Sequence, residues 1–174
     1  MRRLLLVLLV CVYLGGTLSA ATVIPRLRPL SERSERLLSI GRDLSPTIRD
    51  MLTRVEESDI IMQLDLRLDF DVPYAVTRLV TSTPDFRYVR VSINPRLSPM
   101  RRLELLAHEL QHVLEIAAEP SVRTQDAMRD YFTRIGRRER HSGAFETEAA
   151  MKVESVVRAE VGKWESGRLR PLDR

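Results

Sequence analysis

Cysteine is nearly absent from this chain of 174 residues, and histidine and lysine are scarce. The single cysteine, Cys11, lies in an apolar run near the amino terminus, and the only lysines are Lys152 and Lys163. After that run the chain therefore has no disulfide framework, no thiol nucleophile and no thiolate metal site. Any bound metal ion has to be held by histidine and carboxylate side chains.

A strong charge of one sign is also lacking. The chain has 28 basic and 24 acidic residues, and two of the basic ones, Arg2 and Arg3, precede the apolar run. The near-neutral balance that remains argues against a general nucleic-acid binder. The basic segment RIGRRERH at 134–141 has no interleaved aromatic residues, so we expect it to form a solvated loop.

The one long hydrophobic run lies at the amino terminus. Two arginines precede apolar residues over 4–14, and two glycines and then Ser19, Ala20 and Ala21 follow. This order is typical of an export signal, and the run is shorter than the about 20 residues of a spanning helix. We expect residues 1–21 to be a cleaved signal peptide. The protein would then be secreted or periplasmic, without stable membrane insertion after cleavage.

Apolar patterning divides the rest of the chain. Residues 22–44 contain two prolines and little periodicity, and we expect them to form a linker or an N-terminal arm, for which latency is one role to test. The predicted strands cover 63–70, 74–82 and 87–93, and the predicted helices cover 45–57, 99–118, 122–135 and 144–164. Strands followed by helices predict an α+β domain over 45–174, in which a small antiparallel sheet packs with helices.

The helix predicted over 99–118 contains the sequence HELQH. His108 and His112 are four residues apart, so their imidazoles lie one turn apart, on the side away from the apolar face. This is the HExxH arrangement, in which two imidazole nitrogens bind one Zn²⁺ and the enclosed glutamate, here Glu109, acts on a water molecule. The alternative is a pair of surface histidines on a solvated helix.

A catalytic zinc site needs a third protein ligand and one open position. The HExxHxxGxxH form is excluded, because Glu115 stands at the glycine position and Ala118 at the last histidine position. The third ligand must therefore lie further along the chain. Glu115 projects on the same side as the histidines, and we expect it either to orient one of them or to form a surface ion pair.

The helix predicted over 144–164 offers three glutamates as the third ligand. Glu146 aligns with its apolar stripe, whereas Glu148 lies on the opposite side and Glu154 on the flank. A carboxylate on a buried face needs a partner, which favours Glu146. A salt bridge from Glu146 to an arginine, and His141 as the ligand, are the alternatives.

HELQH followed by a helix with a glutamate resembles the gluzincin type of the zincin metallopeptidases. The segment ETEAA at 146–150 is similar to the E-x-x-A-D helix of the prenyl-protein-processing membrane proteases, whose first glutamate binds zinc. The resemblance implies that His108, His112 and Glu146 bind one Zn²⁺ in a zincin-like minimal metallopeptidase domain. The chain departs from that pattern at Ala150, where the family has an aspartate that buttresses the site. The resemblance covers the two motif helices.

Together these residues predict an exported zinc-dependent metallopeptidase. It would hydrolyse peptide bonds of a peptide or protein substrate through a zinc-activated water, with Glu109 as the general base. The alternatives are a non-catalytic metallopeptidase-like binding or scaffold module, and a zinc hydrolase acting on a non-peptide amide.

Two further features of the site follow from this prediction. His141, Tyr131 and Tyr88 are candidates for the stabiliser of the oxyanion. The zincin resemblance also implies that the strand over 87–93 lies at the sheet edge, where an extended peptide can pair with it. A fully paired interior strand is the alternative.

Overall fold

The fold combines one four-stranded sheet with helices, in a computed structural model that describes residues 24–67, 74–138 and 145–168. The elements in chain order are β1 (Leu27–Pro29), α1 (Glu32–Leu44), α2 (Pro46–Glu56), β2 (Ile60–Leu66), β3 (Ala75–Ser82), β4 (Arg87–Ile93), α3 (Pro99–Ala118), α4 (Gln125–Ile135), β5 (Arg137–Arg138), β6 (Phe145–Glu146) and α5 (Glu148–Arg168). The predicted α+β class is confirmed. Within the described ranges no helix is both long and apolar enough to cross a bilayer.

The sheet is mixed, so the prediction of an antiparallel sheet was wrong. The strand order is β1-β2-β4-β3; β1, β2 and β4 are parallel, and only β3 runs antiparallel to its neighbour β4. The helices α1 and α2 return the chain to the end at which β1 began, and such a crossover makes consecutive strands parallel. Apolar alternation within a strand carries no information on this direction.

Strand β4 lies in the interior of the sheet, so the edge position implied for residues 87–93 was also wrong. It pairs with β2 on one side and with β3 on the other. One face of the sheet carries the core: Val89 and Val91 pair there with Met62 and Leu64 of β2, and all four are fully buried. The strand at the edge beside β4 is β3.

The described part of the segment 22–44 forms β1 and α1 rather than a linker. Ser31 caps α1 by accepting a hydrogen bond from the backbone N–H of Ser34, and the buried residues are Ser34, Leu37, Leu38 and Gly41. Two of these four are small rather than apolar, which conceals the helical period in the sequence. At Gly41 an added Cβ would lie 3.0 Å from Ile48 Cγ2, so α1 and α2 pack closely there.

Helix α3 has the predicted bounds, and its carboxyl-terminal end is anchored by a buried arginine. The guanidinium group of Arg87 forms two hydrogen bonds with the carboxylate of Asp59, at 2.8 and 2.6 Å. It also donates to the carbonyl oxygens of Ala117 and Glu119, at 3.0 and 2.7 Å. These carbonyls have no partner within the helix, and they form the negative end of its dipole. Arg87 thus fixes α3 against the sheet.

Candidate metal centre

The HELQH side chains of α3 are buried. His108, Glu109 and His112 are 5%, 5% and 6% exposed, because α3 packs against β3 and β4 and also against α5. The histidines are therefore not a surface pair on a solvated helix, which was the alternative from the sequence. Three polar side chains inside a protein need partners, and those partners define the site.

The two imidazoles face one another through their Nε2 atoms, which are 3.2 Å apart. Each Nδ1 atom faces a carboxylate instead: His108 Nδ1 lies 3.1 Å from Glu154 Oε2, and His112 Nδ1 lies 2.9 Å from Glu115 Oε2. Because an ionised carboxylate only accepts hydrogen bonds, it favours a proton on the facing Nδ1. In the neutral rings both Nε2 lone pairs are then directed into the same space.

Glu146 joins this arrangement from β6. Its Oε2 atom lies 3.3 Å from Nε2 of His108. The helix predicted over 144–164 was placed wrongly at its start, since α5 begins at Glu148 and Glu146 belongs to a two-residue strand that pairs with Arg137. Position in this short hairpin, rather than alignment with an apolar stripe, brings the carboxylate to His108.

The other candidates for the third ligand are placed differently. Glu148 is exposed at the first residue of α5, and Glu154 contacts His108 at Nδ1, the nitrogen on the far side of the ring. His141 lies outside the described residues. Over the described ranges, no group of three or more histidine, cysteine, aspartate or glutamate side chains is arranged so that it could hold a metal ion.

Glu109 is held by a threonine of the edge strand. Thr77 on β3 donates a hydrogen bond of 2.7 Å from Oγ1 to Oε2 of Glu109, and both side chains are buried. One carboxylate oxygen of Glu109 therefore has a fixed partner. The α3 helix and the sheet edge are connected at the residue proposed to act as the base.

Glu154 connects His108 to charged residues at the surface. Its Oε1 atom accepts hydrogen bonds from Arg101 and from Arg158, and Glu104 shares both arginines. The hydrogen bond with His108 and the neighbouring Arg101 lower the pKa of Glu154 to about 2, although burial acts in the opposite direction. Burial alone would lower the pKa of His108, but Glu154, Glu109 and Glu146 raise it on balance.

Glu115 has the same relation to His112. Its Oε1 atom accepts hydrogen bonds from Thr147 at 2.8 Å and from Gln111 at 3.3 Å, while Oε2 faces the imidazole. Burial acts to raise the pKa of Glu115, but these hydrogen bonds, chiefly the one with His112, lower it overall. Thr147 Oγ1 also accepts from the backbone N–H of Ala150, so one hydroxyl group connects the start of α5 to the histidine helix.

A cleft of about 140 Å³ opens beside these groups, and we call it the histidine cleft. His108, Glu109, His112 and Glu146 form its polar part. The rest of the lining is Thr77 with the mainly apolar Ala75, Val76, Met128, Phe132 and Phe145. The Phe132 ring lies edge-on to the imidazole of His112, with ring centroids 5.2 Å apart, and it helps to keep that ring in place.

The three candidates for the oxyanion stabiliser differ in their position relative to the cleft. Tyr88 projects from the sheet face opposite to Val89 and Val91, and the guanidinium group of Arg28 lies 5.9 Å from its ring centroid. It is therefore on the wrong side of the sheet. Tyr131 of α4 packs on Phe132 and does not line the described part of the histidine cleft. His141 is outside the described residues.

Strand β3 presents backbone groups at the sheet edge next to this cleft. The backbone N–H of Asn94 donates to the carbonyl oxygen of Tyr74, so alternate residues from Tyr74 onward bond to β4. In an antiparallel pair the residues between them, Ala75 and Thr77, direct their N–H and C=O groups away from β4. Further along, the Leu79 carbonyl oxygen accepts from the Gln125 side chain of α4.

Three contacts of this site were not predicted from the sequence: those of Thr77 with Glu109, Thr147 with Glu115 and Glu154 with His108. Each joins two side chains across a long sequence separation. Apolar periodicity reports on burial and carries no signal for such a hydrogen bond.

No protein-family model, curated protein or solved structure matches the chain.

Proposed function

We propose that this protein is an exported zinc-dependent metallopeptidase with a zincin-like domain, in which His108, His112 and Glu146 bind one Zn²⁺. One observation carries the proposal: the Nε2 atoms of His108 and His112 lie 3.2 Å apart, and Glu146 Oε2 lies 3.3 Å from that of His108. Export is proposed from the pattern of residues 1–21 alone.

These separations fit a shared cation. Two ligands of a tetrahedral zinc ion with bonds of about 2.0–2.1 Å lie about 3.3 Å apart. Two imidazole lone pairs and an anionic oxygen repel one another at this distance unless a proton or a metal ion lies between them. Complete coordination would require the Glu146 carboxylate to approach His112 as well, and the Glu146 side chain is 30% exposed.

Zinc bound there would lower the pKa of a water molecule and polarise a carbonyl group. Glu109 would take the proton of that water and return it to the leaving amine. Thr77 would hold one Glu109 oxygen and leave the other for the water. Glu154 and Glu115 would keep the proton of each imidazole on Nδ1, so that both Nε2 atoms remain ligands.

The surroundings of the site favour a peptide as substrate. An extended chain that pairs with β3 at Ala75 and Thr77 would add a strand to the sheet and pass directly over Glu109. The apolar walls at Met128, Phe132 and Phe145 would contact its side chains. On this proposal the docking edge is β3 instead of residues 87–93.

Glu154 bears on the alternative of a non-catalytic module. The absence of a buttressing aspartate at Ala150, where the similar proteases have one, favours that alternative. Glu154 lies one helical turn beyond Ala150 on α5 and contacts a histidine. A carboxylate buttress is therefore available from a neighbouring turn, which favours an active site.

The experiment combines metal analysis with digestion of a peptide library by the purified protein, with and without a chelator. We expect about one zinc ion per chain and cleavage that the chelator abolishes. Glu109→Gln should retain zinc and lose cleavage by about 10²-fold or more, whereas Glu146→Gln should lose both. Glu148→Gln makes the same chemical change at an exposed neighbour and should leave both unchanged.

Two results would overturn parts of the proposal. Zinc binding without any cleavage would support the non-catalytic module instead. Absence of zinc from the parent protein, or equal zinc content in Glu146→Gln, would refute the ligand set.

A further inference from the structure

A second cleft lies between α1 and the amino-terminal end of α3, and it shares no lining residue with the histidine cleft. Its volume is about 260 Å³. Three arginines line it, Arg33, Arg36 and Arg102, and the apolar residues are mainly Leu37, Ile40 and Leu103. No acidic residue belongs to its described lining. We call it the arginine cleft.

These three arginines have no ion-pair partner within the described residues. By contrast, the arginines Arg87, Arg101 and Arg158 are each paired with a carboxylate. No hydrogen bond or ion pair within the described residues engages the side chains of Arg33, Arg36 or Arg102. Three like charges around one cleft repel one another, so a bound anion would stabilise this arrangement.

Arg102 provides the most specific sign of a missing partner. Its Nε atom is buried and has no hydrogen-bond partner. Buried donors in proteins are nearly always paired, and an unpaired one calls for an ion or a water that satisfies it. Glu35, which lies between the two arginines of α1 in the sequence, lines a different cleft together with Arg42.

The chemistry of the lining selects a class of ligand. A guanidinium group binds carboxylate or phosphate through paired N–H donors, and three such groups suit a dianion with three or four oxygens better than a carboxylate. Helix α3 starts at the same cleft with Pro99, so the positive end of its dipole adds to the field. The apolar residues add a surface that free phosphate would leave uncovered.

We propose that the arginine cleft binds a phosphate monoester that carries an apolar group. The volume lies just below the roughly 300–1,000 Å³ of clefts for drug-sized ligands, so it suits a phosphate head with the first part of its substituent. Soluble alkyl phosphates and lipids with a phosphomonoester head share this chemistry. The proposal does not depend on the metal centre.

The test is calorimetric titration of the purified full chain with hexyl phosphate, inorganic phosphate and hexanoate. We expect saturable binding of hexyl phosphate, with a Kd about tenfold or more below that of the other two. The double variant Arg33→Gln/Arg36→Gln and the single variant Arg102→Gln should each raise this Kd by about tenfold or more. Arg54→Gln removes an equivalent charge from exposed α2 and should change it less than about twofold.

A second arm identifies the source of the ester. Vesicles of phosphatidylcholine with phosphatidic acid are compared with vesicles of phosphatidylcholine alone. Binding only to the former, and lost in the double variant, supports a lipid ligand; binding of hexyl phosphate without vesicle binding supports a soluble one.

Three outcomes overturn the proposal. They are no saturable binding of hexyl phosphate, equal affinity for inorganic phosphate, and equal weakening by Arg54→Gln. Arg33 and Arg36 are exposed, so the double variant should fold and give a valid result even if Arg102→Gln does not.

Discussion

Hydrogen bonds from neighbouring side chains orient three polar residues of the histidine cleft. Thr77 holds Glu109, Glu154 holds His108 and Glu115 holds His112. A ligand or base whose rotamer is fixed in advance loses less freedom when it acts. At this scale the site is an arrangement of supported side chains, and removal of a support should have effects distinct from removal of the group it supports.

Thr77→Val tests the support of Glu109. The change removes a hydrogen bond to a charged group, worth about 1.5–3 kcal/mol, so we expect the rate of peptide cleavage to fall by about 10- to 100-fold. Zinc content should be unchanged, because Thr77 contacts no proposed ligand. Thr77→Ser retains the hydroxyl and should restore most of the rate. A rate for Thr77→Val equal to that of the parent would contradict this role.

Glu154→Gln tests the support of His108. Loss of the carboxylate weakens the preference for a proton on Nδ1, and we expect zinc affinity, measured by competition with a chelator, to fall by about 10- to 100-fold. Glu104→Gln is the matched control, because Glu104 shares Arg101 and Arg158 but does not contact the histidine. An equal loss in both variants would mean that the ion-pair network, and not the contact with His108, matters.

The short hairpin of β5 and β6 is the element that brings Glu146 to α3. It follows α4 through Gly136, whose backbone N–H donates to the carbonyl oxygen of Phe132. A Cβ added at Gly136 would lie 2.9 Å from the carbonyl oxygen of Glu146 and 3.0 Å from that of Phe132. Any side chain at this position must push the strand with the proposed ligand away from α4.

Gly136→Ala should therefore lower the affinity of the protein for zinc. We expect chelator competition to show a loss of about tenfold, the scale on which displaced supports of a metal site act. Gly162→Ala is the control, since an added Cβ there meets nothing within 4 Å. It should leave zinc affinity unchanged and stabilise α5 by about 0.5–1 kcal/mol. Unchanged zinc affinity in Gly136→Ala would refute the constraint.

The elements themselves could be predicted from the sequence where local signals are strong. Helix α3 has both predicted bounds, because Ser98 and Pro99 mark its start and an apolar face continues to Ala117. Strand β4 also matches residues 87–93. The order and direction of strands could not be predicted, since pairing joins distant segments. The helix predicted from residue 144 begins instead at Glu148, after strand β6. Two strand residues are too few to show a period in the sequence.

For the molecule as a whole, the network around His108 makes the stability of the metal-free protein depend on pH. The pKa of Glu154 falls from 4.5 to about 2 on folding. Its contribution to the free energy of unfolding is therefore fully present above pH 4.5 and is lost as the pH falls towards 2. The pKa of His108 is raised above 6.5, so its contribution is present below pH 6.5 and is lost as the pH rises through the raised value.

We therefore expect the metal-free protein to gain most from this pair between pH 4.5 and 6.5. Urea unfolding in the presence of a chelator should give a free energy about 2 kcal/mol lower for Glu154→Gln than for the parent in this window. The difference should shrink at lower and at higher pH. A difference that stays constant from pH 3 to pH 8 would show that the pair does not titrate as described.

On the proposed function, the edge position of β3 has a consequence for which chains this protein would act on. Main-chain amide and carbonyl groups are the same whatever the amino-acid sequence of a partner. A partner strand that pairs with Ala75 and Thr77 would therefore be recognised by its main chain and not by its side chains. A natively folded domain already uses its main-chain groups in its own helices and sheets. On the proposed function, misfolded, nascent or frayed segments would thus be accessible, and intact neighbours would be spared without any need for a sequence code.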